Sequence, residues 1–259
     1  MKKIIIKTSD KKIMIPDGSD VLLVDSLNRK RSVAATSRNL SIIIGRSCRV
    51  QYLAVFDGAS SAGSEEQREI WLGDASRLEA ARAYFCSGTG RIRFISHLGK
   101  SAEMNSRVLF YQSDTETLQV EDNYIFEAPD SQGRFSVTGL LSGQAKAEYF
   151  SDIIIKPAAQ GTDSRIDMKL YLLNKGAQGV MLPGLKIDAN QVKAGHGAST
   201  FQLSSDDLFY LATRGLSASQ AKALVIDSLA ARFADELSDT TQKNLILKRI
   251  AAKRSTQNS

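Results

Sequence analysis

The sequence predicts a mainly β protein that ends in a short α-helical segment. From Met1 to about Thr200, short runs of β-branched and aromatic residues recur between Gly, Asp, Asn and Ser, a pattern typical of strands joined by turns. At Ser204 the pattern changes to the three- and four-residue spacing of apolar side chains that is typical of amphipathic helices. We therefore expect a β-rich body over residues 1–203 and a C-terminal helical domain over residues 204–259.

The predicted strands are short and evenly distributed along the β-rich body. They are Lys3–Lys7, Val21–Asp25, Leu40–Ile44, Val50–Phe56, Glu69–Leu72, Arg91–Ile95, Val108–Tyr111, Gln119–Glu127, Arg134–Leu141 and Ile153–Lys156. The alanines of Ala75–Ala83 could instead support a short helix. Recurring short strands are compatible with a sandwich, a barrel or a β-solenoid, and no strict repeat selects the solenoid.

The first predicted helix has clear signals at both ends. Ser204 or Ser205 can cap it, and Asp206 and Asp207 lie in its first turn, where the helix dipole favours negative charge. Gly215 can end it, because glycine adopts the left-handed cap with the least strain.

Two further helices are predicted after Gly215. Ser217 and Gln220 form a capping box for the second helix. Its stripe at helical spacing consists of Lys222, Ile226, Leu229, Ala230, Phe233 and Leu237. Ser238 could cap a third, basic helix that carries Leu245, Ile246, Leu247 and Ile250.

Composition narrows the functional classes. The chain of 259 residues has 42% hydrophobic and 24% charged residues and a net charge of +6, which is ordinary for a soluble protein. Acidic residues are interleaved with the basic ones, which disfavours nucleic-acid binding, and the one basic concentration is the tail Lys243–Arg254. No run approaches the ~18 apolar residues of a membrane-spanning helix. We expect a soluble cytoplasmic protein without a nucleic-acid or membrane partner.

The two cysteines are too few for a disulfide scaffold and do not form a CxxC pair. Cys86 lies beside aromatic residues and is expected to be a small buried thiol. Cys48 lies between Arg46 and Arg49, and flanking arginines would lower the pKa of a thiol. A structural role is favoured for both.

The two histidines are the other candidates for chemistry. His196 lies between Gly195 and Gly197, where strands give way to helices, and its small neighbours leave the imidazole accessible to a metal. One histidine makes no metal site, so the alternative is a turn residue that caps the following helix or hydrogen-bonds a carbonyl. His97 has no Cys, Asp or Glu at ligand spacing and is expected at the surface or at a strand end.

No motif predicts catalysis. Ser87–Gly90 and Gly45–Ser47 resemble fragments of phosphate loops but lack the phosphate-loop spacing and a following helix. No Ser/His/Asp arrangement with an activated nucleophile can be assembled. The chain is therefore predicted not to be an enzyme.

Several blocks in the C-terminal part of the chain occur together in a specific order. They are Lys156–Asp163, Leu170–Leu173, Pro183–Asn190, Val192–Ala198 and Leu208–Leu216, followed by Ala221. In this order they resemble the SufB/SufD family of iron–sulfur cluster assembly proteins. The resemblance implies a right-handed parallel β-helix followed by a small helical domain. It also implies that the helical end docks onto a SufC-type ABC ATPase, with docking candidates at Asp207, Phe209, Tyr210, Arg214, Leu216 and Ala221.

His196 falls at the histidine of a family motif, here His196–Ser199. Ala194 stands where SufD-type proteins often have cysteine, and Gly195 and Gly197 stand where SufB-type proteins have glutamates. Lys175–Gln178 lacks the cysteine that SufB-type proteins carry in that region. The chain is thus SufD-like, and it is expected to be a compact form without the long N-terminal extension of larger members.

Together these observations predict a non-catalytic scaffold subunit of a SUF-type assembly complex. Its partners would be the SufC-type ATPase and either a SufB-type subunit or a second copy of itself, paired through the ends of the β-helices. No cofactor would be bound stably by the chain alone, and His196 would contribute one ligand to a transient cluster shared with a partner. One alternative is a β-helix protein that binds or processes polysaccharide, and another is a nucleic-acid-binding module that uses the basic tail.

Overall fold

The strands of the protein wind into two parallel sheets. The structure is a computed structural model that describes residues 1–28, 36–57 and 59–255. In the eight-stranded sheet the strands, in spatial order, are β1 (Lys2–Ile5), β3 (Asp20–Asn28), β5 (Arg49–Asp57), β7 (Arg77–Tyr84), β9 (Glu103–Gln112), β11 (Gln132–Leu141), β13 (Asp163–Leu172) and β15 (Lys193–Gln202). In the seven-stranded sheet they are β2 (Lys12–Ile15), β4 (Thr36–Ile44), β6 (Ala59–Leu72), β8 (Ser87–Leu98), β10 (Thr117–Phe126), β12 (Lys146–Ile155) and β14 (Gln178–Ile187).

Consecutive strands alternate between the two sheets, and each strand pairs in parallel with the strand two positions further along the chain. This is the connectivity of a parallel β-helix, and it confirms the predicted fold class. Side chains alternate between the inside and the outside of the coil, because successive side chains in a strand point to opposite faces. The inner ones form one continuous apolar core along the β-helix.

One corner of the β-helix is built from stacked tight turns. Ser47, Ala75 and Ser101 all have positive φ, at 53°, 53° and 52°. The N–H of Ser47 donates to the carbonyl of Asp74, and the N–H of Ala75 donates to that of Lys100. The left-handed conformation is therefore held by hydrogen bonds to the next coil, even though these residues are not glycine.

The possible helix over Ala75–Ala83 is wrong, since this stretch turns at Ala75 and continues as β7. Ala80 faces the core of the β-helix, whereas Ala81 and Ala83 face outward into a second apolar cluster. Alanine is common here because helices lie against the outer face of β7, and not because the segment is helical.

Three helices follow β15: α1 (Ser205–Thr213), α2 (Ala218–Asp235) and α3 (Thr240–Ser255). Helices α2 and α3 cover the outer face of the eight-stranded sheet. The buried residues that these helices contribute to the outer cluster are Ile226, Ala230, Phe233, Ile246 and Ile250, which pack with residues including Leu22, Leu53, Leu109 and Leu140. Burial of each isoleucine or phenylalanine side chain contributes about 1.5–3 kcal/mol. The predicted stripe of α2 is confirmed from Ile226 to Phe233, whereas Leu237 packs against the same cluster after the helix has ended at Asp235.

The predicted caps are correct for α1 and α2. Ser204 forms a capping box with Asp207, and Ser217 forms one with Gln220. The capping prediction for α3 is wrong, because Ser238 donates to Gln51 instead. The carboxylate of Asp239 accepts the Gln242 N–H at 3.0 Å and takes over the role of the cap.

Ionic contacts explain the basic tail. Arg249 forms an ion pair with Asp57 and Lys253 forms one with Glu116, both in the β-helix. Lys243 and Arg254 form ion pairs with α2, at Asp235 and Asp227 respectively. These four cations of the tail are thus paired within the chain, which removes the concentration of charge that suggested nucleic-acid binding.

The core also contains charged side chains. Arg82 of β7 and Asp122 of β10 pair at 2.8 Å, and both side chains are fully shielded from solvent. Asp122 also accepts hydrogen bonds from the hydroxyls of Tyr124 and Tyr149. Burial and the nearby Asp122 carboxylate raise the pKa of both tyrosines well above the usual value, so they remain donors.

A second buried network lies nearer the N-terminal end of the β-helix. The carboxylate of Asp25 accepts from Arg38, Tyr52 and Arg68, and Arg68 also donates to Glu66. Buried charges persist only when they are paired in this way.

Candidate functional site

His196 lies within the last strand of the eight-stranded sheet and not in a turn, which corrects the prediction of a junction between strands and helices. In β15 it is in register with Ile166 of β13, whose side chain is fully buried. His196 is therefore on the core-facing side of β15, at the C-terminal end of the β-helix. Its side chain is exposed because, in the residues that the structure describes, no further strand pairs with β15 beyond β13.

The ring of His196 is held by the neighbouring sheet. Nδ1 lies 2.9 Å from the carbonyl oxygen of Pro183 in β14. The predicted alternative, in which the ring of His196 hydrogen-bonds a carbonyl, is thus found in the structure. The residue belongs to a strand, however, and not to a turn. Pro183 is in the terminal strand of the seven-stranded sheet, the kind of position where a sheet tolerates proline.

The glycines beside His196 make room for an ion pair. Arg165 and Asp167 of β13 form two hydrogen bonds, at 2.7 and 2.8 Å. A Cβ added at Gly197 would lie 2.9 Å from Asp167 Oδ1, and one at Gly195 would lie 3.4 Å from an Arg165 nitrogen. A larger side chain at position 197 would require the Asp167 carboxylate to shift away from this pair. Sequence reasoning missed Arg165 and Asp167, because their only signal is that they lie about thirty residues before the glycines, one coil away.

The strands β14 and β15 form the C-terminal edges of the two sheets. Val180 and Leu182 of β14 and Phe201 of β15 are exposed, at 46%, 54% and 45%. An exposed edge of ten residues with apolar side chains offers its backbone groups to another strand. This end of the β-helix is therefore suited to pairing with another protein chain.

Among the residues that the structure describes, no three His, Cys, Asp or Glu side chains are grouped so that they could hold a metal ion. His196 thus offers one imidazole, as the sequence indicated, and a metal site there would need ligands from elsewhere. A cluster with thiolate-type ligation fits only a site that two chains share.

His97 has a separate environment at the end of β8, as predicted. Its Nδ1 lies 2.8 Å from Glu127 and its Nε2 lies 3.4 Å from Glu69, and its ring stacks on Trp71 at 3.7 Å. Sequence spacing did not reveal these carboxylates, because they come from adjacent coils.

Both cysteines are buried, and their exposure is 3% for Cys48 and 2% for Cys86. The Sγ of Cys48 lies 3.1 Å from the carbonyl oxygen of Pro16. Burial raises the pKa of Cys86 to about 12. Reactive thiols are partly exposed, so these positions favour the structural interpretation for both.

The candidate docking residues lie on and after α1. Phe209 and Tyr210 are exposed, at 72% and 59%, and Arg214 lies over the Tyr210 ring at 5.5 Å. Asp207 is exposed but binds Ser204 as part of the helix cap.

The last two docking candidates are less accessible. Leu216 is half-buried and Ala221 is fully buried. Ala221 is therefore part of the buried packing of α2 and does not offer an exposed contact of its own.

Taken together, the fold and this site define a parallel β-helix that has an unpaired C-terminal end and a helical cover with exposed aromatic residues. The family described as "SUF system FeS cluster assembly, SufBD core domain" matches residues 7–229. The chain therefore belongs to the SufBD family, whose members take part in iron–sulfur cluster assembly.

Individual relatives agree with this assignment. The chain is 34% identical over 98 residues to an iron–sulfur cluster assembly SufBD family protein of Synechocystis sp., which covers 38% of this chain and 22% of the relative. It is 30% identical over 111 residues to the iron–sulfur cluster assembly protein SufD of Escherichia coli, covering 43% and 26%. A SufBD family protein of Mycobacterium tuberculosis is 26% identical over 162 residues, covering 60% and 38%. The matches thus span 22–38% of these relatives.

In residues 1–28, 36–57 and 59–255, no helix is both long enough and apolar enough to cross a membrane.

Proposed function

We propose that this chain is a non-catalytic scaffold subunit of a SUF-type iron–sulfur cluster assembly complex. It would link a SufC-type ABC ATPase to the subunit interface where a cluster forms. The observation that carries the proposal is the placement of His196 on a terminal strand, beside an exposed apolar edge.

The interface would form when the edges of β14 and β15 pair with a second subunit. Burial of Val180, Leu182 and Phe201 would supply apolar contact, and the unpaired backbone groups of both edges would gain partners. The partner would be a SufB-type subunit or a second copy of the chain.

The nascent cluster is cargo, and the chain would hold it only through His196. A SufB-type partner would supply thiolates, whereas a second copy would add only another imidazole. Imidazole is a suitable iron ligand when a neutral nitrogen faces the metal. The chain alone would bind no cofactor stably.

The ATPase would dock on the surface of Phe209, Tyr210 and Arg214. The remaining helices pack on the β-helix, so movement of the ATPase would be transmitted from α1 to the body that carries His196. Family membership favours this arrangement over the polysaccharide alternative, which no feature of the described residues supports.

Two measurements test the proposal. The tagged chain is expected to retain a SufC-type ATPase, and Phe209→Ala with Tyr210→Ala should remove that retention. Met14→Ala, which truncates an exposed side chain on β2, is the matched control and should retain it. His196→Ala should abolish cluster assembly in the complex, whereas Ser199→Ala on the same strand should not. Absence of ATPase retention by the unaltered chain, together with intact assembly in His196→Ala, would contradict the proposal.

A further inference from the structure

The contact between His196 and Pro183 determines more than the orientation of the ring. A carbonyl oxygen can only accept a hydrogen bond, so the ring nitrogen at 2.9 Å from it must carry a proton. That nitrogen is Nδ1. In the neutral imidazole the other nitrogen, Nε2, then has no proton and presents its lone pair.

We infer that the Pro183 carbonyl is a positioning group that fixes His196 as the Nδ1–H tautomer and makes Nε2 the coordinating atom. The inference rests on the proposed function for its purpose, but its chemistry follows from the contact itself. No hydrogen bond or ion pair engages His196 Nε2 among the described residues. The lone pair is thus unused within the part of the chain that the structure describes.

This arrangement follows the general design of metal-binding histidines. A ligating imidazole usually donates its second N–H to a carbonyl or carboxylate, which fixes the tautomer and raises the basicity of the ligand. Here the carbonyl belongs to the terminal strand of one sheet and the imidazole to the terminal strand of the other. The two sheets are thereby joined at the end of the β-helix by the residue that would meet the cargo.

His97 provides an internal comparison. Both of its nitrogens face carboxylates, Glu127 at 2.8 Å and Glu69 at 3.4 Å. Neither nitrogen is left without a neighbour, and the ring is stacked on Trp71. Of the two histidines in the chain, only His196 therefore has a carbonyl on one side and an unused nitrogen on the other.

The tautomer can be read directly by nitrogen-15 NMR of the uniformly labelled full chain in alkaline buffer, where free imidazoles are neutral. Long-range proton–nitrogen correlations show which ring nitrogen is protonated, and the spectrum of His196→Asn assigns the two histidines. We expect a protonated Nδ1 and an unprotonated Nε2 for His196. A protonated Nε2 in the unaltered chain would overturn the inference.

A second variant separates the carbonyl from the proline ring. Pro183→Ala retains the carbonyl and is expected to show the same tautomer. A change to the Nε2–H form in this variant would mean that the ring of Pro183 sets the tautomer, and the role of the carbonyl would be rejected.

The binding atom is tested with Zn²⁺ alone as a diamagnetic probe. On addition of Zn²⁺ the Nε2 signal of His196 should shift while Nδ1 stays protonated. A shift of Nδ1 with loss of its proton would contradict the assignment. These NMR measurements need neither the ATPase nor a cluster. A wrong tautomer assignment can therefore be distinguished from a wrong proposal of a scaffold role.

His196→Asn links the two proposals. Its amide can still donate to the Pro183 carbonyl, but it has no atom at the position of Nε2. We expect unchanged thermal stability and loss of cluster assembly in the complex. If His196→Asn supports assembly as well as the unaltered chain does, Nε2 is not the coordinating atom.

Discussion

Arg82 of β7 and Asp122 of β10 connect the two sheets inside the β-helix, with 2.8 Å between Arg82 Nη2 and Asp122 Oδ2. The guanidinium also lies over the ring of Phe94 at 3.9 Å. Both charged groups are removed from water, so each depends on the other for compensation.

We therefore expect Arg82→Ala to lower the free energy of unfolding by about 3–5 kcal/mol, because it leaves the Asp122 carboxylate buried without its cation. Urea denaturation measures the change. Arg134→Ala is the matched control, since its ion pair with Asp163 is exposed and should contribute about 0–1 kcal/mol. Equal losses of unfolding free energy in the two variants would show that the buried ion pair contributes no more to stability than the exposed one.

Position 197 should require glycine because the Asp167 carboxylate lies close to its Cα. Gly197→Glu would place a Cβ 2.9 Å from Asp167 Oδ1 and a second carboxylate beside it. We expect the free energy of unfolding to fall by about 1 kcal/mol, because the exposed Arg165–Asp167 pair is displaced and two carboxylates lie side by side on neighbouring strands. Ser199→Glu, on the same face of β15, should change it by less than about 0.5 kcal/mol.

A second-site change identifies the cause of this effect. If the collision with Asp167 is responsible, Asp167→Ser should restore most of the stability of the Gly197→Glu chain. Failure of that rescue would point to another neighbour.

The edge of β14 should control subunit pairing. Leu182→Lys places a charge on an exposed apolar residue of the terminal strand, so the proposed interface would have to bury an unpaired cation. Light scattering should show a lower mass than that of the assembly formed by the unaltered chain. Ile5→Lys alters another exposed apolar residue, at the other end of the β-helix, and should leave the mass unchanged. The same mass for all three chains would show that the edge of β14 is not the surface through which subunits pair.

Cys86 should make stability depend on alkaline pH. Burial raises its pKa from 9.0 to about 12. Between these values the unfolded chain loses the thiol proton and the folded chain keeps it, so the free energy of unfolding falls as pH rises. The slope for one proton is about 1.4 kcal/mol per pH unit.

The comparison with Cys86→Ser isolates this contribution, because serine does not titrate and other groups are common to both chains. Urea denaturation at several pH values should show a steeper decline in the unaltered chain. Parallel curves would mean that Cys86 is exposed to solvent in the folded protein.

Much of the fold could be predicted from the sequence, because local signals dominate it. Turn residues between β-branched runs indicated the β body, and the capping boxes at Ser204 and Ser217 marked two helices. The error at Ala75–Ala83 arose because alanine favours helices locally, whereas here small side chains are needed beneath α2 and α3. Tertiary packing overrode the local preference.

The site was predicted less completely than the fold. His196 was identified from its neighbours and from a family motif, but its contact with Pro183 depends on how two sheets meet. The Glu69 and Glu127 carboxylates beside His97 come from the coils before and after it. No short sequence pattern predicts such contacts between neighbouring coils, because the coils differ in their number of residues.

Two of the buried ion pairs, Asp25–Arg68 and Arg82–Asp122, also restrict the order in which the coils of the β-helix can stack. In Asp25–Arg68 the acid lies in the eight-stranded sheet and the base in the seven-stranded sheet, whereas in Arg82–Asp122 this order is reversed. Apolar coils are nearly interchangeable, so a folding chain could stack one coil out of place at little cost. A slip of that kind would separate these charges from their counter-ions inside the core, at several kcal/mol for each. The buried charges therefore select one stacking order of the coils, because only that order leaves each charge beside its counter-ion.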